Sequence, residues 1–93
     1  MENAQVEMPK YKSHKEVHAL KIKSITYDKD LAENRETDGS ALLHFEAPFS
    51  HIKVDYTYVQ KHKPQAVGYY VVYEDGYKSW SPAEAFEGGY TKV

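Results

Sequence analysis

Histidines are the residues best suited to metal chemistry in this 93-residue chain. His14 and His18 are four residues apart, a spacing that would suit a zinc pair on a helix. Their segment is more typical of a strand, however, and no Glu or Cys completes a motif such as His-Glu-x-x-His. His44 and His51 could meet across a hairpin, but they would need a third ligand. The sequence therefore predicts no metal site and no cofactor.

Nucleophilic and acid–base chemistry are supported no better. The chain has no cysteine and no Gly-x-Ser-x-Gly elbow. The prominent serines, Ser79 and Ser81, are explained by strand pairing and helix capping. Carboxylate pairs such as Asp28 with Asp30 lie in predicted loops, without a cleft to shift their pKa values. We predict no catalytic residues and expect a binding protein rather than an enzyme.

Composition narrows the possible partners. The net charge is −2, and eleven of the twelve basic residues are lysine, with Arg35 the exception. Nucleic-acid binders usually carry a basic surplus and use arginine for bidentate contacts, so a nucleic-acid partner is not favoured. No apolar run is long enough for a membrane span, and the polar N-terminus lacks the order of a signal peptide. We expect a cytoplasmic protein without a membrane partner.

The length fits one domain. Residues 1–13 are polar and show no periodicity, which predicts a flexible N-terminal arm, and residues 14–93 are expected to form a single α+β domain. Its first element is a strand within residues 16–27, where Leu20 and Ile22 alternate with lysines and indicate one buried face.

The middle of the chain predicts short elements. Residues 28–40 are strongly polar and indicate a long exposed loop that could hold a turn of helix; its role is left open. Strands are expected at 41–45 and 50–54. Asp55 is a predicted N-cap for a short helix that should end near Pro64.

The C-terminal third carries the strongest local signals. A β-prone run at 68–74 leads into Asp75-Gly76, a pair suited to a two-residue type I′ turn. That turn would pair Val71 with Trp80 and would place Trp80, with Tyr69, Val71 and Tyr73, on the core face of the hairpin.

A capped helix should follow this hairpin directly. Ser81 is its predicted N-cap, Pro82 occupies the first helical position, and Phe86 turns back toward the sheet. Gly88 and Gly89 would end the helix in the left-handed conformation, and residues 90–93 could form a terminal strand. The fold class is therefore α+β, a small and mainly antiparallel sheet with one or two short helices.

The opposite face of the hairpin is the candidate binding surface. Tyr70, Val72 and Tyr77 would occupy it, either as core or as an exposed patch rimmed by Lys78. Such a patch could bind a protein, stack a nucleotide base or form a homo-oligomer. The candidate binding residues are Tyr70, Tyr77, Lys78 and Ser81, the last because first-turn amides at its helix end could hold a phosphate.

Three segments carry a family resemblance. They are KSHKEVHALKIKSI at 12–25, YVQKHKPQ at 58–65 and GYYVVYEDGYKSWSPAEAFEGGYTKV at 68–93. With them the chain resembles a family of small uncharacterised proteins encoded by tailed bacteriophages and prophages. Residues 26–57 do not match, and the family has no assigned activity, so no functional residue carries over.

The resemblance implies a phage accessory protein that acts in the cytoplasm of a bacterial host. The first hypothesis is non-enzymatic binding to a host or phage protein, including inhibition of a host defence component. The second is sequestration of a nucleotide-like small molecule, and the third is a minor structural component of the virion.

Overall fold

The structure is a computed structural model that describes residues 7–13, 15–31 and 36–92. Within these ranges, three short helices are interspersed among antiparallel strands, which confirms the predicted α+β class. The elements are β1 (Lys10–Lys12), β2 (Glu16–Lys21), β3 (Ser24–Tyr27), α1 (Asp28–Leu31), β4 (Ala41–His44), β5 (Ile52–Val54), α2 (Tyr56–His62), β6 (Tyr69–Val72), β7 (Lys78–Ser81), α3 (Ala83–Gly89) and β8 (Thr91–Lys92).

The strands form two antiparallel sheets that share one bent segment. The larger sheet has the order β7-β6-β2-β1-β8 and the smaller β3-β4-β5. At Ile22 the backbone N–H donates to Gly68 O at 2.8 Å, whereas the N–H of Lys23 donates to His44 O at 2.7 Å. The predicted strand at 16–27 therefore bends at Ile22-Lys23 and passes from one sheet to the other. The path β7-β6-β2-β3-β4-β5 is consequently continuous, and β5 and β7 are its two ends.

Two hydrophobic clusters lie on opposite sides of the larger sheet. One contains Leu20, Ile22 and Tyr70, with residues of β4, β5 and α2. The other contains Val17 and Phe86, with residues of β6. Burial of Leu20 and Ile22 is confirmed at 7 % and 1 % exposure. The larger sheet thus buries both of its faces, where the alternation in β2 indicated only one.

Helix α2 forms as its local signals predict. The Asp55 side chain accepts a hydrogen bond from the Tyr58 amide at 2.9 Å, so Asp55 is the N-cap. The helix ends at Lys63, which has a left-handed conformation with φ 45° one residue before Pro64. Tyr58 is the buried residue of this helix.

The start of α3 differs from the prediction. The N-cap is Pro82, with no side-chain capping hydrogen bond, and Ser81 instead ends β7 opposite Tyr69. The Ser81 hydroxyl donates to the Pro82 carbonyl at 3.3 Å. Phe86 packs back onto the sheet at 1 % exposure, as expected.

The far end of α3 also differs in detail. The helix includes both predicted terminating glycines, and its C-cap is Tyr90 in an extended conformation. The terminal strand is present as β8 and pairs with β1. Residues 10–12 of the expected arm lie in β1, where the ring of Tyr11 packs edge-on against Phe86 at 4.8 Å. Residues 1–6 of the expected arm lie outside the described residues.

Candidate functional site

The loop of the β6–β7 hairpin has three residues rather than two. Tyr73 donates its N–H to Tyr77 O, and its carbonyl accepts from the Gly76 N–H, both at 2.9 Å. Gly76 has φ 91°, the left-handed position of a type I turn followed by a G1 bulge. Asp75 Oδ1 accepts from the Tyr77 N–H at 2.9 Å and secures the turn.

The longer loop shifts the register by one residue. Trp80 pairs with Tyr70, not with Val71 as predicted, because the bulge adds one residue between the strands. A shift of one residue changes which side chains share a face, so the prediction that Trp80 lies with Tyr69 and Val71 is wrong. Trp80 instead packs against the cluster that contains Tyr70.

Tyr70 is therefore a core residue. Its side chain is 2 % exposed, and its ring lies 6.1 Å from that of Tyr58 and 6.2 Å from that of Phe45. Burial raises the pKa of its hydroxyl. Of the two interpretations of this hairpin face, core or exposed surface, Tyr70 takes the first.

Tyr77, in contrast, lies on the exposed surface, with 43 % exposure. It belongs to a group at the loop end of the hairpin that we call the hairpin-tip cluster: Lys15, Lys61, His62, Tyr73 and Tyr77. The Tyr73 and Tyr77 rings are nearly parallel, with centroids 6.1 Å apart. The Tyr77 hydroxyl lies 3.1 Å from Nε2 of His62, at the end of α2. Lys61 Nζ and Lys15 Nζ lie 5.0 Å and 5.9 Å from the Tyr77 and Tyr73 rings.

The electrostatics of this cluster favour a neutral His62. Partial burial, followed by the charge of Lys61, lowers the pKa of the imidazole. With Nε2 unprotonated, the Tyr77 hydroxyl donates to it and ties the hairpin to α2. The ring of His62 also contacts Tyr58, one helical turn earlier, at 4.8 Å. The i, i+4 spacing of Tyr58 and His62 is a sequence signal that could have indicated this contact.

A shallow groove of about 460 Å³ lies beside the two stacked tyrosines. The two tyrosines line it together with one basic residue and three acidic ones: Lys15, Glu16, Glu74 and Asp75. Aromatic rings and mixed charges at a surface are suited to protein contact.

A second depression lies between the ends of the two sheets, and we call it the edge groove. It has a volume of about 270 Å³. Tyr58 and Tyr70 line its interior, and the tyrosine hydroxyl of Tyr58 donates to the carbonyl of Ser79 in β7 at 2.6 Å. The full lining consists of Ile52, Lys53, Val54, Asp55, Tyr58, Tyr70 and Lys78.

The structure brings three of the four candidate binding residues to one region. Tyr70 lines the edge groove from within, Lys78 stands at its rim, and Tyr77 precedes Lys78 in the hairpin-tip cluster. Ser81 lies at the opposite end of β7 and does not join them. Sequence reasoning missed Lys15, His62 and Tyr73, whose proximity depends on contacts between distant segments.

Two of the histidines considered for metal binding are close in space. The His44 and His51 rings have centroids 5.6 Å apart, and His44 Nε2 lies 2.9 Å from the Thr26 hydroxyl. Across residues 7–13, 15–31 and 36–92, no three His, Cys, Asp or Glu side chains are grouped to hold a metal ion. His14 lies outside the described residues. Over the same part of the chain, none of the helices is long and apolar enough to cross a membrane.

Comparison with known proteins gives one informative similarity. No protein-family model and no curated protein matches the chain. Among solved structures, the chain is similar to the solution NMR structure of the monomeric form of the phage L decoration protein. The sequences are 32% identical, the TM-score is 0.64, and the match covers 91% of this chain.

This similarity agrees with the phage setting that the sequence resemblance implies. The chain spans 59% of the length of that decoration protein. The neighbour is named as a decoration protein of a phage. The class supported by fold and sequence is therefore a small α+β domain similar to a phage decoration protein.

Proposed function

We propose that this protein binds the outer surface of a phage capsid as a non-enzymatic decoration domain. The observation that carries the proposal is the similarity to the phage L decoration protein, which extends over 91% of the chain at 32% identity. The partner is then a phage capsid protein, and the proposed setting is the bacterial cytoplasm, where newly formed capsids are found.

The hairpin-tip cluster is the proposed contact surface. Tyr77 combines 43 % exposure with a fixed orientation, because His62 holds its hydroxyl and Tyr73 supports its ring. A large side chain that is already ordered loses little entropy on binding, and tyrosine is among the residues that dominate interface energies. The lysines and carboxylates around it supply a polar rim.

Of the hypotheses made from the sequence, the virion component gains the most support. The nucleotide hypothesis combined base stacking on aromatic rings with phosphate binding by lysines and by the helix start near Ser81, and Ser81 itself lies in β7, one residue before the N-cap Pro82. Neither a nucleotide-like ligand nor a host protein is supported by a feature of the described structure. Self-association also stays a prediction.

Co-sedimentation with capsids of the phage that encodes the chain tests the proposal. Purified wild-type protein is expected to pellet with capsids in a saturable manner and to remain in the supernatant alone. A wild-type protein that stays in the supernatant at every capsid concentration would overturn the proposed function.

Two matched variants test the surface. Tyr77→Ala is expected to weaken capsid binding about tenfold or more, as loss of an interface anchor usually does. Tyr56→Ala is the control, because Tyr56 is 57 % exposed at the first residue of α2 and its ring lies beside Gly39. Equal binding by the two variants would remove the hairpin-tip cluster from the interface while leaving capsid binding intact.

A further inference from the structure

The two ends of the continuous strand path leave an opening in the molecule. Strand β5 is one terminal strand of the smaller sheet, and β7 is one terminal strand of the larger sheet. The edge groove lies between them: all three residues of β5 line one side, and Lys78 of β7 lines the other. Terminal strands present unpaired backbone groups that another extended segment can bind.

The backbone of β7 has the pattern such binding needs. Antiparallel partners alternate between hydrogen-bonded and non-hydrogen-bonded pairs. Tyr73 and Tyr77 form a bonded pair, and counting two residues along each strand makes Val71 and Ser79 the next. The N–H and C=O groups of Lys78 and Trp80 then point away from β6. No loop or helix backbone group within the described ranges bonds to either residue.

The interior of the edge groove is suited to apolar side chains. The rings of Tyr58 and Tyr70 line it, and both are buried in the core. Ile52 and Val54 alternate with Lys53 along β5, so the apolar side chains of β5 lie on one face and the lysine on the other. A segment of three or four extended residues matches the lengths of β5 and β7.

Among the described residues, three charged side chains line the edge groove: Asp55, which accepts the Tyr58 N–H as the N-cap of α2, and two lysines, whose charges indicate what this segment carries. Lys53 on β5 and Lys78 on β7 are both exposed. Lys53 lies 3.5 Å from Asp38, an exposed pair, whereas Lys78 has no ion pair within the part of the chain that the structure describes. A carboxylate on an added strand would lie near one or both ammonium groups and would be attracted to them.

We propose that the edge groove binds an extended segment of the capsid protein, with an acidic side chain, as an added β-strand next to β7. This inference depends on the proposed function, because it names how the same partner is bound. The groove adjoins the hairpin-tip cluster, since Tyr77 directly precedes Lys78. Main-chain pairing would supply affinity and the groove side-chain specificity, as in other cases of strand addition.

Three substitutions at Lys78 separate the contribution of its side-chain charge from that of its backbone N–H. Lys78→Thr removes the charge but keeps the outward N–H, and Lys78→Pro removes both. Proline is tolerated on a terminal strand where its nitrogen faces outward, so the β6–β7 ladder is retained. Lys78→Glu reverses the charge. Thermal unfolding of each variant by circular dichroism confirms that the fold is present.

The expected order of capsid affinity is wild type, then Lys78→Thr, then Lys78→Pro and Lys78→Glu. Lys78→Pro should bind about tenfold more weakly than Lys78→Thr, because it loses an inter-strand hydrogen bond and places a ring against the added strand. Equal affinity of these two variants, with normal binding by the wild type, would overturn strand addition and leave the proposed function standing. A wild type that fails to bind would overturn the proposed function itself.

Hydrogen exchange on the wild-type protein gives a second test that needs no variant. Peptides that cover residues 78–81 should exchange more slowly on capsids than in free protein, since strand addition next to β7 protects its outward N–H groups. Protection of the hairpin tip alone, with unchanged exchange at 78–81, would also overturn the inference.

Discussion

The hydroxyl of Tyr58 is predicted to stabilise the fold by joining α2 to β7. It donates to the Ser79 carbonyl at 2.6 Å, a short distance for an O–H···O bond, from a side chain that is 8 % exposed. Tyr58→Phe removes this oxygen and preserves the ring that packs against Tyr70 and His62. The substitution therefore isolates one hydrogen bond.

The expected loss of stability in Tyr58→Phe depends on whether the Ser79 carbonyl keeps another hydrogen-bond partner. A typical intramolecular hydrogen bond contributes a net ~1 kcal/mol, and an unsatisfied buried partner can raise the loss. The Ser79 carbonyl keeps a ladder partner in Val71, so it is not left unpaired and the loss stays near ~1 kcal/mol. For a domain of this size that corresponds to a decrease of ~4–8 °C in Tm.

The control is Tyr56→Phe on the same helix. Tyr56 is 57 % exposed, and such surface changes usually alter stability by less than about 0.5 kcal/mol. Thermal unfolding followed by circular dichroism at pH 7 compares the two variants with the wild type. A Tyr58→Phe melting temperature no lower than that of Tyr56→Phe would refute the role given to this hydrogen bond.

Three further changes have defined outcomes. Asp55→Ala should lower the free energy of unfolding by ~1 kcal/mol in urea titrations, while Asp55→Asn should retain most of it, because asparagine keeps an acceptor for the first-turn amide. Gly68→Ala would place a Cβ 2.4 Å from Trp80 Nε1, so a lower urea midpoint and altered fluorescence of the single tryptophan are expected. The lowered pKa of His62 means that the unfolded chain takes up a proton first as pH falls below the ordinary value of 6.5. Stability should then decrease on acidification until the folded-state pKa is passed, and His62→Gln should show a weaker decrease in Tm between pH 7 and pH 5.

Elements controlled by adjacent residues could be predicted from the sequence. Helix α2 depends on Asp55, which binds an amide three residues later, and on Pro64, which disfavours helix at the residue before it. Both interactions are local, so neither requires knowledge of the rest of the fold. The burial of Phe86 was also predicted, although α3 begins one residue later than the sequence indicates.

The hairpin register could not be predicted, because its turn residues fit two geometries. Asp75-Gly76 suits a type I′ turn, and it equally suits the end of a type I turn with glycine at the bulge. The two geometries differ by one residue, which is sufficient to move Trp80 to the other face. Burial on both faces of β6 makes either assignment compatible with an apolar run at 69–72.

Ser81 shows how tertiary context overrides a local signal. Ser-Pro before an Ala-Glu pair is a strong helix start, yet the chain extends β7 by one residue to pair Ser81 with Tyr69. The Ser81 backbone is therefore part of the β6–β7 ladder. The N-cap is Pro82, which has no side-chain oxygen to accept a hydrogen bond from the first-turn amides. The candidate phosphate site near this residue depended on the first-turn amides of the helix and not on the cap, so it stays a prediction.

The candidate binding region depends on the same register. The shift places Tyr70 opposite Trp80 in the core, and the bulge leaves Tyr77 at the hairpin tip beside His62, a residue separated from it by 15 positions. With a two-residue turn, Tyr70 and Tyr77 would have shared one face, as either core or surface. With the bulge they have different roles: Tyr70 forms the apolar lining of the edge groove, and Tyr77 stands exposed at its end. The register therefore places an exposed aromatic side chain, Tyr77, at the end of the unpaired edge of β7. Because the two features adjoin, we expect the hairpin-tip cluster and the edge groove to act as one interface.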